Sequence, residues 1–130
     1  MPLGVNPNLM TYKAGEDLRN FQYRFVKIGS TENEVVKNEA GTAASCGILQ
    51  NDPNTGEPAL VAKPGGDAYL EMSTSCSLDA ILVPTTNGKG VTASPGAGVN
   101  AYAAAKAREA ALADGNIIAV EVVNDIYQGA

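Results

Sequence analysis

The hydrophobic positions of this chain fall in short runs divided by turns, and only one stretch has a strongly helical character. Phe21, Tyr23 and Phe25 alternate with Gln22 and Arg24, the period of a strand with one buried face. The apolar phase shifts at Val26 and Ile28 around Lys27, which predicts a bulge or a strand end there. Val35-Val36 and Ala43 to Leu49 read as further short strands. Asn51 to Glu57 packs Asn, Asp, Pro and Gly into a turn. Pro58 to Lys63 reads as a strand, Pro64-Gly65-Gly66-Asp67 reverses the chain, and Ala68 to Met72 runs back. Leu78 to Val83 is another apolar strand, bounded by Pro84, and Asn87-Gly88 is the strongest two-residue hairpin signal. The last strand, Asn116 to Val123, sets Ile117, Ala119 and Glu121 on one face and Ile118, Val120 and Val122 on the other. Short strands with turns roughly every ten residues predict an all-β fold, a small β-barrel or β-sandwich.

Two segments do not follow this pattern. Residues 1–20 carry Leu3, Val5, Leu9, Met10 and Tyr12 at no clear period, broken by Pro2, Gly4, Pro7 and Gly15. The expectation is an extended N-terminal arm over 1–20, ahead of a β-rich domain over 21–130. Apolar side chains that do not pattern onto their own core find a partner on another chain. Leu3, Leu9, Met10 and Tyr12, with Lys13 beside them, are therefore the candidate contact residues. The competing reading is a frayed terminus that touches nothing.

The second segment is Ala101 to Ala113, whose alanines give it the highest helix propensity in the chain. As a strand it places Ala103, Ala105 and Ala107 on one face and Tyr102, Ala104, Lys106 and Arg108 on the other. Both readings stay open for residues 101–111. The helical one brings a decoy, because Gly96-Ala97-Gly98-Val99-Asn100-Ala101 matches the glycine fingerprint of dinucleotide-binding folds. Ser94-Pro95 interrupts the strand that the fingerprint needs, and no second βαβ pattern lies upstream.

Composition narrows the chemistry. With 130 residues, 45% of them hydrophobic, the chain can bury one real core. A formal charge of −5 and nine scattered Lys and Arg argue against a nucleic-acid partner or an anionic membrane surface. No apolar run approaches the roughly 20 residues of a membrane span, and the first residues lack the pattern of a signal peptide, so a protein made in a cytoplasm is expected. Cys46 and Cys76 match neither a redox nor a zinc spacing, and buried free thiols are the expectation. Histidine is absent, which excludes Ser-His-Asp, Cys-His and His-zinc arrangements. Asp52, Glu57 and Asp114 sit in turns. No catalytic, cofactor-binding or metal-binding residue is nominated, and the expectation is a protein that is not an enzyme.

Cys46-Gly47-Ile48-Leu49-Gln50-Asn51-Asp52-Pro53-Asn54-Thr55-Gly56-Glu57, followed by Pro58 to Ala62, resembles the capsid decoration or cement proteins of tailed phages. That family carries a "G-[IV]-L-x-N-x-P-x-x-G-E" turn between two core strands. Asn87-Gly88-Lys89-Gly90-Val91 resembles its "D-G-K-x-V" hairpin, and Glu109 to Val120 its closing "E-A-A-x-A-D-G-x-I-I-x-V". The pieces fall in the family's order across residues 43–123; the N-terminal arm and the alanines of 101–111 depart from it. The resemblance implies a β-tulip-like domain that binds the outer surface of the expanded phage head between major capsid proteins. It implies a homo-oligomer, a trimer foremost, located on the virion. The alternative class is a β-rich adhesion or carbohydrate-binding module, for which five Tyr and no Trp are a thin supply of aromatic platforms.

Overall fold

The computed structural model describes residues 4–40, 43–94, 97–98 and 100–128. All regular structure among them is strand, as the patterning predicts. The ten strands are β1 (Asn8–Ala14), β2 (Phe25–Ile28), β3 (Glu34–Lys37), β4 (Gly47–Leu49), β5 (Pro58–Lys63), β6 (Asp67–Glu71), β7 (Ile81–Pro84), β8 (Gly90–Thr92), β9 (Asn100–Ala107) and β10 (Ile117–Gln128).

The first five strands close a barrel in the order β1-β3-β2-β4-β5, and the other five form a sheet in the order β6-β10-β9-β7-β8. Barrel closure depends on β1. It pairs antiparallel with β5 from Asn8↔Lys63 to Lys13↔Pro58, and parallel with β3 at Lys13↔Glu34 and Ala14↔Val35.

This corrects the expected arm. The segment from Asn8 to Ala14 is a barrel stave, and Tyr12, Ala14 and Leu18 are buried in this chain's own core. Their partners, Leu49, Ala59 and Val61, come from strands far along the sequence, so no local period announces them. The strand expected at Phe21 to Phe25 is also corrected. Phe21 to Arg24 forms a turn with Phe21 buried, and strand pairing begins only at the buried Phe25.

Residues 101–111 resolve toward strand as far as Ala107. β9 lies between β10 and β7, and Ala101, Ala103, Ala104, Ala105 and Ala107 are all buried. Ladder hydrogen bonds on both edges and burial on both faces outweigh the intrinsic preference of alanine for helix. Since Asn100 to Ala107 is extended, no helix follows Gly98, and the dinucleotide fingerprint lacks the helix N-terminus it requires; Gly96 and Val99 lie outside the described residues.

The Asn87-Gly88 signal does mark a hairpin, between β7 and β8. Five residues, Thr85 to Lys89, separate the strands: the Gly88 amide donates to the Thr85 carbonyl, and Gly88 itself turns left-handed at φ 78°. A Cβ at Gly88 would overlap the Phe21 ring, so this hairpin tip packs directly on the barrel.

Barrel and sheet share a core. Phe25, Ile48 and Ala62 of the barrel pack with Leu70, Met72, Leu82, Ile118, Val120 and Val122 of the sheet. A second cluster, including Tyr12, Leu18, Phe21, Val26, Leu49 and Val61, fills the barrel interior. Gly47 lets β4 press onto β5, because a Cβ there would overlap the Ala62 carbonyl oxygen. Cys46 is buried and Cys76 half-buried, both as free thiols.

Candidate functional site

The residues expected to make contacts divide in the structure. Leu9 and Met10 are 48% and 50% exposed at the start of β1, and Lys13 is exposed further along it. Tyr12 is buried; its hydroxyl accepts a hydrogen bond from Lys63 Nζ at 2.8 Å. That bond holds the Lys63 ammonium above its ordinary range. Leu3 lies outside the described residues. Register adds a residue the sequence did not nominate: Leu60 of β5, also exposed, stands opposite Thr11 and therefore diagonal to Leu9 on the barrel wall. Leu9 and Leu60 thus share an exposed apolar patch on the outer face of the β1–β5 pair, while Met10, opposite the buried Val61, is exposed on the other face of β1.

Barrel and sheet meet along the edge of β6, where a second site is built. An edge strand exposes unpaired amides and carbonyls, and here the barrel covers them. The Glu71 amide donates to the Tyr23 carbonyl at 2.8 Å, and Gln50 Nε2 donates to the Tyr69 carbonyl at 3.1 Å. Tyr23 is fixed from the other side as well, because its amide donates to the Leu49 carbonyl at 2.7 Å.

These bonds hold Tyr23 at φ 66°, a left-handed backbone that costs a bulky residue about 1–3 kcal/mol. The consequence is a side chain aimed at Tyr69. The rings meet edge to face, with centroids 6.0 Å apart and planes at 81°. With Gly115, Asn116 and Ile117 they line an open depression of about 410 Å3. Asn116 is held by its own loop, since its Oδ1 accepts from the Leu112 and Ala113 amides at 2.8 and 3.2 Å.

Next to this depression runs a chain of charges. Glu71 accepts from Arg24 Nε at 3.1 Å and pairs with Lys89 Nζ at 3.4 Å, while Lys89 also reaches Asp114 at 3.0 Å. The Asp114 hydrogen bond first, and then the nearby Glu71 charge, raise the Lys89 ammonium above its ordinary range. Arg24 lies over the Phe21 ring at 5.6 Å. The network ties the barrel turn, β6 and the β7–β8 hairpin together. Sequence spacing carries no trace of it, because its members lie up to 90 positions apart.

The architecture defines a class: an all-β protein made of a closed five-stranded barrel joined through a common core to a second five-stranded sheet. No protein-family model matches the chain, and no curated relative does. Among solved structures, it is similar to the N base of the head fiber gp8.5 of bacteriophage phi29. The two share 14% identity and a TM-score of 0.65, covering 88% of this chain and 92% of that one. At this identity the likeness is one of fold.

Proposed function

We propose that this chain is a structural protein of a phage head that decorates the outer surface of the expanded capsid between major capsid proteins and stabilises it. The observation that carries the reading is the fold likeness to a phage head fiber base over nearly the whole of both chains. The ordered resemblance of residues 43–123 to capsid cement proteins points the same way. The physical mechanism is linkage. A protein that binds the assembled, expanded lattice and not its separated subunits stabilises the lattice by RT ln(1 + [L]/Kd), about 4 kcal/mol at a thousandfold excess over Kd. Repeated at every lattice position, that gain opposes the pressure of the packaged genome.

The contact surface in this reading is the outer face of the β1–β5 pair, where Leu9 and Leu60 stand together. It is apolar and carried on rigid barrel staves, which lowers the ordering cost of docking. The partner is the major capsid protein, and the decorating unit is a homo-oligomer, a trimer foremost, with three times the 13.3 kDa chain mass in light scattering.

The test is to add purified protein to expanded capsids of its own virus that lack it and to measure occupancy by cryo-electron microscopy. Wild type should fill its positions, while a Leu9→Asp/Leu60→Asp variant with unchanged melting temperature should lose at least about tenfold in affinity. Absence of wild-type density above the capsid floor overturns the reading. Full occupancy by the variant overturns the assignment of the patch.

A further inference from the structure

Tyr23 and Tyr69 are separated by 46 positions in sequence and are brought together only by the covered edge of β6. Around them, several side-chain polar atoms of the lining residues are left without a partner among the described residues. Neither phenol hydroxyl has a hydrogen-bond partner among the described residues, and Asn116 spends its Oδ1 on its loop while its Nδ2 stays free. No charged side chain lines the depression, although four charged groups stand just beyond it. Its volume of about 410 Å3 falls within the roughly 300–1,000 Å3 of small-ligand sites.

We propose that this depression is a binding site for a neutral hexopyranose unit of an oligosaccharide. A pyranose ring has an apolar face of axial C–H bonds and a rim of hydroxyls. Those two surfaces match an aromatic and aliphatic floor, made of Tyr69, Tyr23 and Ile117, and a rim of two phenol hydroxyls and one carboxamide N–H. Absence of charge in the lining disfavours anionic ligands, whose desolvation nothing there would repay. Tyr23 is held in its left-handed conformation by bonds to both halves of the fold, so the aromatic floor is fixed before any ligand arrives. The site stands on the opposite chemistry from the Leu9 and Leu60 patch and does not depend on the capsid reading.

The test is saturation-transfer NMR of the full chain with maltotriose, cellotriose and triacetylchitotriose in turn. Wild type should transfer saturation to the ring C–H protons of at least one of them. Tyr69→Ala should weaken that sugar by roughly tenfold or more through loss of the stacking face. Asn116→Asp keeps the Oδ1 acceptor of the loop and removes the N–H donor, for a loss of roughly threefold to tenfold. If Tyr69→Ala fails to fold, Tyr69→Phe keeps the edge-to-face contact and should weaken binding by roughly threefold. The proposal is overturned if none of these sugars receives saturation from wild type, or if the folded variants bind as wild type does. It is equally overturned if Tyr69 variants lose capsid occupancy while no sugar binds, which would make the depression a protein contact.

Discussion

Barrel and sheet have the same number of strands but are filled in opposite ways. The barrel encloses large side chains, Tyr12, Leu18, Phe21, Val26, Leu49 and Val61, contributed by short staves and by the turn that precedes β2. The sheet has an alanine strand, β9, at its centre, and takes its bulk from neighbours: Leu70 and Met72 at the β6 edge, Leu82 of β7, and Ile118, Val120 and Val122 of β10. Small residues on a central strand let layers above and below come close. Large residues inside a closed barrel fill a volume that cannot collapse. The two halves should therefore fail under opposite substitutions, truncation in the barrel and enlargement in the sheet.

Phe25→Ala is the largest expected effect. Phe25 is fully buried where barrel and sheet share a core, and its removal should cost about 3–5 kcal/mol in urea unfolding. Both halves should melt in one transition; separate transitions would show that the shared core does not couple them.

Ala105→Leu comes next. It inserts bulk at a fully buried position of β9 and should cost about 1–3 kcal/mol, whereas Leu49→Met in the barrel, which conserves volume, should cost less than about 1.5 kcal/mol. Equal tolerance at both positions would break the contrast.

The charge network across the junction ranks third. Glu71→Gln should cost about 1–2 kcal/mol by thermal melts at low salt, and less at high salt, because its partners are only partly shielded from water. Salt-independent melting of wild type and variant alike would remove the network from the account.

The smallest effect concerns the Tyr12–Lys63 contact in the barrel. Lys63 is raised above 10.5 in the folded chain, chiefly by its hydrogen bond to the Tyr12 hydroxyl. Its contribution is therefore complete below pH about 10.5 and is lost as pH climbs through the higher folded value. Urea titrations on the alkaline side should show wild type losing an increment of stability that Lys63→Met never had. Parallel pH curves would count against the contact.

The sheet was more legible in the sequence than the barrel. Ala68 to Met72 and Asn116 to Val123 overlap β6 and β10 of the sheet, with turn residues marking where the chain reverses, whereas of the barrel only Pro58 to Lys63 is legible with its observed bounds. β1 escaped because Leu9 and Met10 are exposed while Tyr12 and Ala14 are buried, so its pattern changes midway along seven residues. Phe21 and Phe25 suggested one strand, yet Tyr23 between them takes a left-handed backbone that no periodicity encodes. Of the expected contact residues, Leu9 and Met10 stayed on the surface, and Leu60 joined Leu9 only through register.

What the sequence determined by itself is what local chemistry controls: an all-β chain, its reversals at Asn51 to Glu57, Pro64 to Asp67 and Asn87-Gly88, and the absence of histidine chemistry. Tertiary structure decided what depends on distant partners. A strand of alanines is a strand only when β7 and β10 flank it, because ladder bonds and two-sided burial must offset a helix preference that the isolated segment would follow. Residues 8–14 become a stave only because β5 and β3 offer open edges to them. The Tyr23–Tyr69 depression exists for the same reason, since the covered edge of β6 is a meeting of segments that no sequence spacing relates.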